Sequence, residues 1–378
     1  MCYNRLMTTY NWQLPGWPHF QYDLISIHPL LISCAEKMGF INGQFTHLAS
    51  QQQTEAIVDL MVEEAIKTSN IEGEVLRRAD VRSSIKNKLG LNQQMVKIHD
   101  QRARGIAELL LDARATFNEP LTETKLSDWH LLLISGSMLP NLRVGVFRTH
   151  AEPMQIISGH HGRERVHFEA LPSSMVPHEM ELFLDWFNQT APGEEHAIHY
   201  APVRAALAHL YFESIHPYED GNGRIGRAIA EKALSQGCGY PVVLSLSQAI
   251  DQDKPGYYQA LQTASRTMEV TTWIHYFVQR VLLALQDMEK QIHFIVQKSH
   301  FFDQYAALLN ERQLKVIKRM LQAGSKGFEG GMSAKKYIKI AETSKATATR
   351  DLQHLHAIHA FKQIGSGRGV RYELNFGE

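Results

Sequence analysis

One segment near the middle of the chain concentrates residue types that can act on a phosphate ester. It reads SIHPYEDGNGRIGR and runs from Ser214 to Arg227. Gly221 and Gly223 let the backbone adopt conformations closed to other residues, so that successive N–H groups can converge on one anion. Ile225 and Ile229 recur at helical spacing, and the first turn of such a helix adds the positive end of its dipole. The segment therefore predicts a phosphate-binding loop that joins two helices.

The charged residues of this segment extend the prediction to a polyphosphate and a metal ion. Arg224 and Arg227 are three positions apart, so both planar guanidinium groups can clamp phosphate oxygens from one side of the helix. Asp220 would repel phosphate unless a cation lay between them, and Mg²⁺ commonly bridges one carboxylate to phosphate oxygens. The imidazole of His216, a group whose ordinary pKa is about 6.5, suits removal of a proton from an incoming hydroxyl. We interpret Asp220 as the metal ligand and His216 as the base.

A simpler structure would account for part of this pattern. A Gly-rich turn can merely end one helix and begin the next, with Asn222 as a cap and the arginines in solvent. The segment combines a base, a carboxylate, two glycines and two spaced arginines, and this combination favours the phosphate site. We expect Tyr218 to be a core anchor that holds the loop rather than a reacting group.

The composition of the whole chain is that of a folded protein with no general affinity for polyanions. The chain has 378 residues, of which 44% are hydrophobic and 21% charged, and its formal net charge is zero. Cys2, Cys34 and Cys238 lie far apart, which argues against a disulfide framework or a thiolate metal site. No uninterrupted apolar run approaches the roughly 18 residues of a membrane span, and no signal peptide is evident. We expect a cytoplasmic protein without membrane contact.

Helical spacing dominates most of the chain, so we predict a mainly α fold. Between about Val144 and Leu171 the pattern changes to two short β-prone runs, MQIISG and RVHFEA, which predict a hairpin with the loop GHHGRE. The segment Tyr10 to Asp23, YNWQLPGWPHFQYD, suits an irregular stretch held by buried aromatic side chains. His160 and His161 in the hairpin loop could bind a metal, but we favour surface or packing roles for them.

The C-terminal part differs in charge and predicts a separate module. From Glu311 to Leu374 there are 13 Lys or Arg residues against 5 Asp or Glu residues. Three short helices, the second and third capped by Ser333 and Ser344, precede the runs FKQI and VRYEL around a Gly-rich loop. This order is typical of a winged helix-turn-helix. His354, His356 and His359 crowd the end of the third helix, where we again favour packing roles.

This module predicts a surface for DNA, with a protein-contact module as the alternative. On the DNA interpretation, phosphates or bases would be contacted from the third helix and the wing. The residues concerned are Lys345, Thr347, Thr349, Arg350, Arg368 and Arg371.

The loop segment resembles a known family. HPYEDGNGRIGR is similar to the signature of Fic domains, HPFxxGNGRxxR in outline, with Tyr218 in place of the usual Phe. The resemblance extends over about Met154 to Ala284, where the predicted hairpin matches the family's target-binding flap. It also reaches the N-terminal WxLPxWPxF pattern, which is similar to a segment often found ahead of Fic domains.

The resemblance implies a protein adenylyltransferase, which moves AMP from ATP to a Ser, Thr or Tyr hydroxyl of a protein. It implies that His216 is the general base, that Asp220 holds Mg²⁺, and that pyrophosphate leaves when the α-phosphate is attacked. The strand edge Met154 to Ile157 would present the target segment by strand addition. The implied nucleotide-binding residues are Gly221, Asn222, Gly223, Arg224, Ile225, Gly226 and Arg227, together with Tyr257 and Tyr258 near the adenine.

A second, shorter resemblance predicts a brake on this activity. Thr68 to Gly73 reads TSNIEG and resembles the inhibitory motif [ST]xxxE[GN] of Fic proteins. Glu72, followed by Gly73, would pair with Arg227 and occupy the clamp meant for the γ-phosphate. The alternative for Glu72 is a solvated carboxylate at a helix end.

These predictions combine into three domains and leave other functions open. Residues 1–110 would be an N-terminal helical region with the inhibitory helix, 111–304 the Fic catalytic core, and 305–378 the winged helix-turn-helix. One alternative keeps the fold but removes AMP or transfers another phosphate-containing group. The other is a DNA-binding regulator. The target protein is unknown, the chain itself is one candidate, and the resemblance allows for a homodimer.

Overall fold

The computed structural model describes residues 9–136, 142–158, 165–242, 244–324 and 327–377. The chain divides into two compact units. The first is made of residues up to Phe40 together with Ile57–Gln286, and the second of Ile41–Ala56 together with residues from Asp287 onward. The predicted boundaries after residues 110 and 304 remain predictions.

The chain is mainly helical, as its sequence predicts. Eleven of the helices and one hairpin precede the C-terminal elements. In chain order they are α1 (Leu24–Thr46), α2 (Ser50–Ile71), α3 (Arg78–Lys88), α4 (Gln101–Ala115), α5 (Glu123–Ile134), β1 (Gln155–Ser158), β2 (Arg165–Glu169), α6 (Val176–Gln189), α7 (Ala201–Ile215), α8 (Asn222–Cys238), α9 (Leu246–Asp251), α10 (Lys254–Ala264) and α11 (Thr271–Tyr305).

Helix α7 lies at the centre of the first unit and packs along α8. Every residue of α7 except Glu213 is buried, and small residues such as Ala205 and Ala208 allow close packing of the neighbouring helices. Its buried Arg204 is satisfied within the core, because Nη2 donates to the Phe187 carbonyl at 2.6 Å and the guanidinium lies over the Phe187 ring. A helix fixed on all sides holds the residues at its C-terminal end in a defined place.

The N-terminal segment is irregular and held by aromatic side chains, which confirms the prediction. Beyond a single 3₁₀ turn at Asn11–Gln13, the ring of Trp17 lies edge-on to Tyr211 at 5.1 Å. Trp12 Nε1 donates to the Glu169 carbonyl at 2.9 Å. Asn11 Nδ2 donates to Ser214 Oγ at 2.8 Å, which ties the segment to the last turn of α7.

The predicted hairpin is confirmed. Strands β1 and β2 pair antiparallel, with Gln155 opposite Glu169 and Ile156 opposite Phe168. A bulge separates Ile156 from Ile157, and Phe168 packs edge-on against Tyr10. The loop that carries His160 and His161 lies outside the described residues.

The second unit contains the predicted order of three short helices and a hairpin. Ser333 Oγ accepts from the Lys336 N–H and Ser344 Oγ from the Thr347 N–H, so both predicted caps are confirmed. Met332 also exchanges two backbone hydrogen bonds with Tyr372. The winged-helix interpretation of this order remains a prediction. The elements are α12 (Glu311–Leu321), α13 (Ala334–Ala341), α14 (Lys345–Ala357), β3 (Phe361–Ile364) and β4 (Arg371–Leu374).

The histidines at the end of α14 make contacts within the second unit. His354 Nδ1 lies 3.0 Å from Gln313 Nε2, and His356 Nδ1 lies 3.1 Å from the Phe361 carbonyl. The carbonyl of His359 accepts from Tyr305 Oη at 3.1 Å.

Helix α1 is the one described helix that is long and apolar enough to cross a membrane, by length and composition alone. It contains Pro29, and Ile27, Leu31 and Cys34 on it are buried within the first unit. Core helices of globular proteins pass the same test, so the expected cytoplasmic location stays a prediction.

Candidate active site

The segment predicted to bind phosphate forms a tight loop between α7 and α8. His216 follows the last residue of α7 with φ 51° and ψ 61°, and its N–H donates to the Phe212 carbonyl at 2.9 Å. A residue other than glycine in this left-handed region is uncommon and is often found at functional sites. Gly221, at φ 86°, precedes the first residue of α8. The backbone thus reverses within five residues and aims the N-terminus of α8 back toward His216.

The Asn222 side chain makes its hydrogen bonds within this loop. Its Oδ1 accepts from the Tyr218 N–H at 2.9 Å, and its Nδ2 donates to the Tyr218 carbonyl at 2.8 Å. The Tyr218 side chain is buried and stacks on the His130 ring, with centroids 4.0 Å apart and an angle of 10° between the planes.

Two residues that sequence reasoning missed hold the loop from outside. Arg148 donates to the His216 carbonyl from Nε at 2.7 Å and to the Leu171 carbonyl from Nη2 at 2.6 Å. Burial lowers the pKa of Arg148 to about 10, so it stays charged at neutral pH. No spacing or motif marks Arg148 in the sequence, because its partners are backbone carbonyls far along the chain.

His130 is the second of these residues. The Gly145 N–H donates to its Nδ1 at 2.9 Å, which leaves Nε2 to donate its proton to the Asp220 carbonyl at 3.2 Å. Burial lowers the pKa of His130 to about 4, so the ring is neutral under ordinary conditions.

The structure brings Glu72 and Arg227 together. Arg227 is 2% exposed, and its Nη2 lies 2.8 Å from Glu72 Oε1. Arg227 also donates from Nε to Thr68 Oγ1 at 2.7 Å and from Nη2 to the Thr68 carbonyl at 2.9 Å. Burial by itself lowers the pKa of Arg227, but the charge and hydrogen bond of Glu72 together with Tyr257 and Glu213 outweigh it, and the net direction is upward. The first and fifth positions of the TSNIEG motif thus both contact one arginine.

The Glu72 carboxylate lies directly against the first turn of α8. A Cβ placed on Gly223 would be 2.1 Å from Glu72 Oε1, so no larger residue fits there while Glu72 holds this position. The first turn of a helix has unpaired N–H groups and a positive dipole, which together favour an anion. A carboxylate therefore lies where the sequence predicts a phosphate.

Arg224 is engaged by a second carboxylate that the sequence did not single out. Arg224 is 3% exposed, its Nη1 lies 2.8 Å from Glu74 Oε2, and its Nη2 lies 3.3 Å from Asp220 Oδ1. Glu74 stands two residues after Glu72, outside the inhibitory pattern. The only signal in the sequence would have been an acidic residue so close to that motif.

Asp220 is accessible enough to bind a cation. Its side chain is about one-third exposed, and Oδ1 accepts from the Gly221 N–H at 2.6 Å. Within the described residues, no cluster of three or more His, Cys, Asp or Glu side chains could hold a metal alone. Mg²⁺ commonly takes one protein carboxylate and completes its shell with phosphate oxygens and water, and Asp220 fits that role.

The two tyrosines of YYQAL have different surroundings. Tyr257 is buried, and its Oη lies 2.7 Å from His209 Nε2. Tyr258 is 40% exposed and donates from Oη to the Ile71 carbonyl at 3.0 Å, directly before Glu72. Their contact with an adenine remains a prediction.

Comparison with known proteins agrees with this geometry. Residues 120–234 match the model of the Fic/DOC family, and residues 10–91 match a domain of unknown function, DUF4172. A protein adenylyltransferase Fic of Drosophila willistoni is 27% identical over 154 residues, which cover 39% of this chain and 29% of the relative. One from Nematostella vectensis is 24% identical over 217 residues, covering 56% of this chain and 44% of the relative. The chain thus spans less than half the length of either relative.

Solved structures share the fold. A Fic family protein from Desulfovibrio desulfuricans has a TM-score of 0.52 at 20% identity, covering 92% of this chain and 96% of that chain. A Fic domain-containing signaling protein from Bacteroides thetaiotaomicron has a TM-score of 0.51 at 18% identity, with coverage of 71% and 97%. The fold and the loop define a helical domain with a Gly-containing loop between two helices. Residues 120–234 form a domain of the Fic/DOC family.

Proposed function

We propose that this chain is a protein adenylyltransferase that transfers AMP from ATP to a Ser, Thr or Tyr hydroxyl of a protein and is held inactive by Glu72. One observation carries the proposal. The Glu72 carboxylate lies on the first turn of α8, 2.8 Å from the buried Arg227. A site that accepts a carboxylate oxygen beside unpaired N–H groups and a guanidinium also suits a phosphate oxygen.

In the proposed reaction, His216 removes the proton from the target hydroxyl. The hydroxyl oxygen attacks the α-phosphorus, the bond to the β-phosphate oxygen breaks, and pyrophosphate leaves. The N-terminus of α8 with Arg224 and Arg227 binds and orients the phosphates. Asp220 would hold Mg²⁺, which supplies charge neutralisation on the phosphate oxygens when bound.

The proposed brake works by competition for one cation. While Glu72 pairs with Arg227, the γ-phosphate cannot take that arginine, and ATP binds with its α-phosphate turned from His216. Thr68 contributes because its Oγ1 and carbonyl hold the same guanidinium toward α2. Displacing Glu72 would free one Nη2 hydrogen of Arg227 for phosphate, while the other stays on the Thr68 carbonyl.

The hairpin supplies a site for the target. Within the described residues β1 pairs with β2 alone, so the other edge of β1 offers backbone groups to an extended segment. Strand addition there would bring a hydroxyl side chain toward His216.

The test uses ATP labelled at the α-phosphate, with Mg²⁺ and a cell extract as the source of targets. We expect Glu72→Gly to leave much more label on protein than the wild type, and Glu72→Gly with His216→Ala to leave none. Glu63→Gln is the matched control, because Glu63 lies on α2, directly before the residues that carry Glu72, but pairs with Arg78 away from the loop.

The outcomes separate transfer from removal. Loss of AMP from a modified protein, with no label retained in any variant, would make de-AMPylation the function. Absence of both activities in Glu72→Gly would contradict a function in transferring or removing AMP.

A second candidate function, DNA binding, rests on the second unit. Lys345, Thr349 and Arg350 are exposed on the first two turns of α14, and Ser344 caps that helix. A gel-shift assay would favour this function if affinity fell steeply with salt, because Lys and Arg contacts to phosphate release counterions. Binding without any effect of salt would exclude it.

A further inference from the structure

Helix α7 presents three titratable side chains on one face leading to the catalytic loop. His209, Glu213 and His216 follow one another at spacings of four and three residues. Glu213 is the one residue of α7 that is not fully buried, with a side chain 11% exposed. Its Oε2 lies 3.6 Å from His216 Nδ1. Among the described residues, neither His216 Nδ1 nor Glu213 Oε1 has a hydrogen-bond partner.

The surroundings of Glu213 keep its carboxylate ionised. Burial by itself raises the pKa of Glu213, but its interaction with His216 and the charge of Arg227 act in the opposite sense, and the net direction is downward. His209 is neutral, because burial lowers its pKa, and its Nε2 is engaged by Tyr257 Oη. The charge closest to the reacting imidazole on this face of α7 is therefore negative.

Space for this carboxylate comes from the third glycine of the loop motif. A Cβ on Gly226 would lie 2.7 Å from Glu213 Oε1 and 3.0 Å from His209 Nδ1. The close approach of α8 to α7 at this point therefore depends on a residue without a side chain. The resemblance implies a nucleotide-binding role for Gly226, whereas the structure places it against the Glu213 carboxylate.

We propose that Glu213 is a positioning residue for His216 in the transfer reaction, and this inference rests on the proposed function. The Glu213 carboxylate accepts the Nδ1–H of His216, which fixes the tautomer that has a free Nε2 lone pair. Nε2 then takes the proton of the target hydroxyl, and the resulting imidazolium keeps its Nδ1–H on Glu213, which stays ionised. At 3.6 Å the two atoms are beyond hydrogen-bond length, and catalytic contacts of this kind often tighten only with substrate bound.

The kinetic test uses the Glu72→Gly background, in which the brake is removed. Adding Glu213→Gln should lower kcat by about ten- to a hundredfold, with the KM for ATP unchanged, since Glu213 does not touch nucleotide. The acid limb of the pH–rate profile should move to lower pH, because protonated imidazole loses the carboxylate that stabilises it. Glu213→Asp should recover part of the rate. Glu179→Gln is the control, since Glu179 is also buried but accepts from Trp17 Nε1.

A second measurement does not depend on turnover. In protein labelled with ¹⁵N at histidine, the His216 signals, identified by their loss in His216→Ala, should report Nδ1–H when Glu213 is present. Glu213→Gln should shift that signal toward the Nε2–H tautomer. If Glu213→Gln does not fold, Gly226→Ala replaces it in both experiments, because its Cβ displaces the same carboxylate.

The inference and the proposed function fail in different ways. An unchanged tautomer together with an unchanged acid limb would overturn the role of Glu213 while leaving transfer intact. Absence of transfer by Glu72→Gly would overturn the proposed function, and the ¹⁵N measurement would still decide whether Glu213 holds His216.

Discussion

At the scale of single residues, the site is organised around buried arginines that need anions. Taking a guanidinium out of water costs several kcal/mol unless an anion and hydrogen-bond acceptors replace the solvent. Arg227 meets that need with Glu72 and Thr68, and the phosphate of a nucleotide could meet it instead. The proposed brake and the proposed nucleotide site are therefore two ways to satisfy one cation.

This view predicts that Glu72→Gln is both less stable and more responsive to nucleotide. Without the carboxylate, Arg227 keeps only neutral acceptors, so we expect a loss of about 1 to 3 kcal/mol in the free energy of unfolding of the first unit. Adding ATP and Mg²⁺ should raise the melting temperature of Glu72→Gln by more than that of the wild type. Thermal unfolding with and without nucleotide measures both effects. An equal rise in the melting temperature of both proteins would contradict competition between Glu72 and nucleotide for Arg227.

His130 predicts a dependence of stability on pH. Its pKa is about 4 in the folded protein, and that of an unfolded histidine is about 6.5. Between these values the unfolded chain binds a proton that the folded chain does not, so stability falls as the pH drops from about 6.5 to about 4. The neutral, buried His130 contributes up to about 3 kcal/mol to the free energy of unfolding. That contribution is fully present above about pH 6.5.

The measurement compares urea unfolding of the wild type and His130→Asn at pH 7 and pH 5. Asparagine keeps an acceptor for the Gly145 N–H but does not titrate. The chain has 20 histidines, so the difference between the two proteins is the informative quantity. Equal losses of stability on acidification would show that His130 is protonated in the folded protein.

At the scale of elements, the end of α2 and the residues after it place two carboxylates on two arginines of α8. Glu72 pairs with Arg227, and Glu74 pairs with Arg224. The two pairs lie three residues apart on α8 and two residues apart beyond α2. The element that carries the brake thus covers both predicted phosphate clamps.

Glu74→Gln should therefore release part of the brake. Glu74 is 25% exposed, and a partly exposed ion pair is worth at most about 1 kcal/mol. We expect a gain in affinity for a non-hydrolysable ATP analogue of roughly two- to fivefold, smaller than the gain from Glu72→Gly. Isothermal titration calorimetry measures it, with Glu63→Gln on the preceding helix α2 as the control. No change in affinity would mean that Arg224 does not bind phosphate.

At the scale of the whole molecule, features set by residues close together in the sequence could be predicted, and features set by distant residues could not. The helices, both hairpins and the caps at Ser333 and Ser344 could be predicted, because periodicity and capping act within a few residues. The contact between Glu72 and Arg227 could also be predicted, since both belong to short motifs. Arg148 and His130 could not, because they bind backbone carbonyls and amides that only the folded chain brings near.

The DNA binding proposed for the second unit depends on exposed basic residues of α14, and one paired substitution tests it. Lys345 and Arg350 are both exposed on α14. Changing both to glutamate reverses two charges, a net change of four charge units, and should weaken binding to duplex DNA by at least tenfold at low salt, with a smaller slope of affinity against salt. Label transfer by Glu72→Gly should be unaffected, because both substitutions lie in the second unit and the loop lies in the first. Unchanged binding in the gel-shift assay would favour a protein partner for this surface instead.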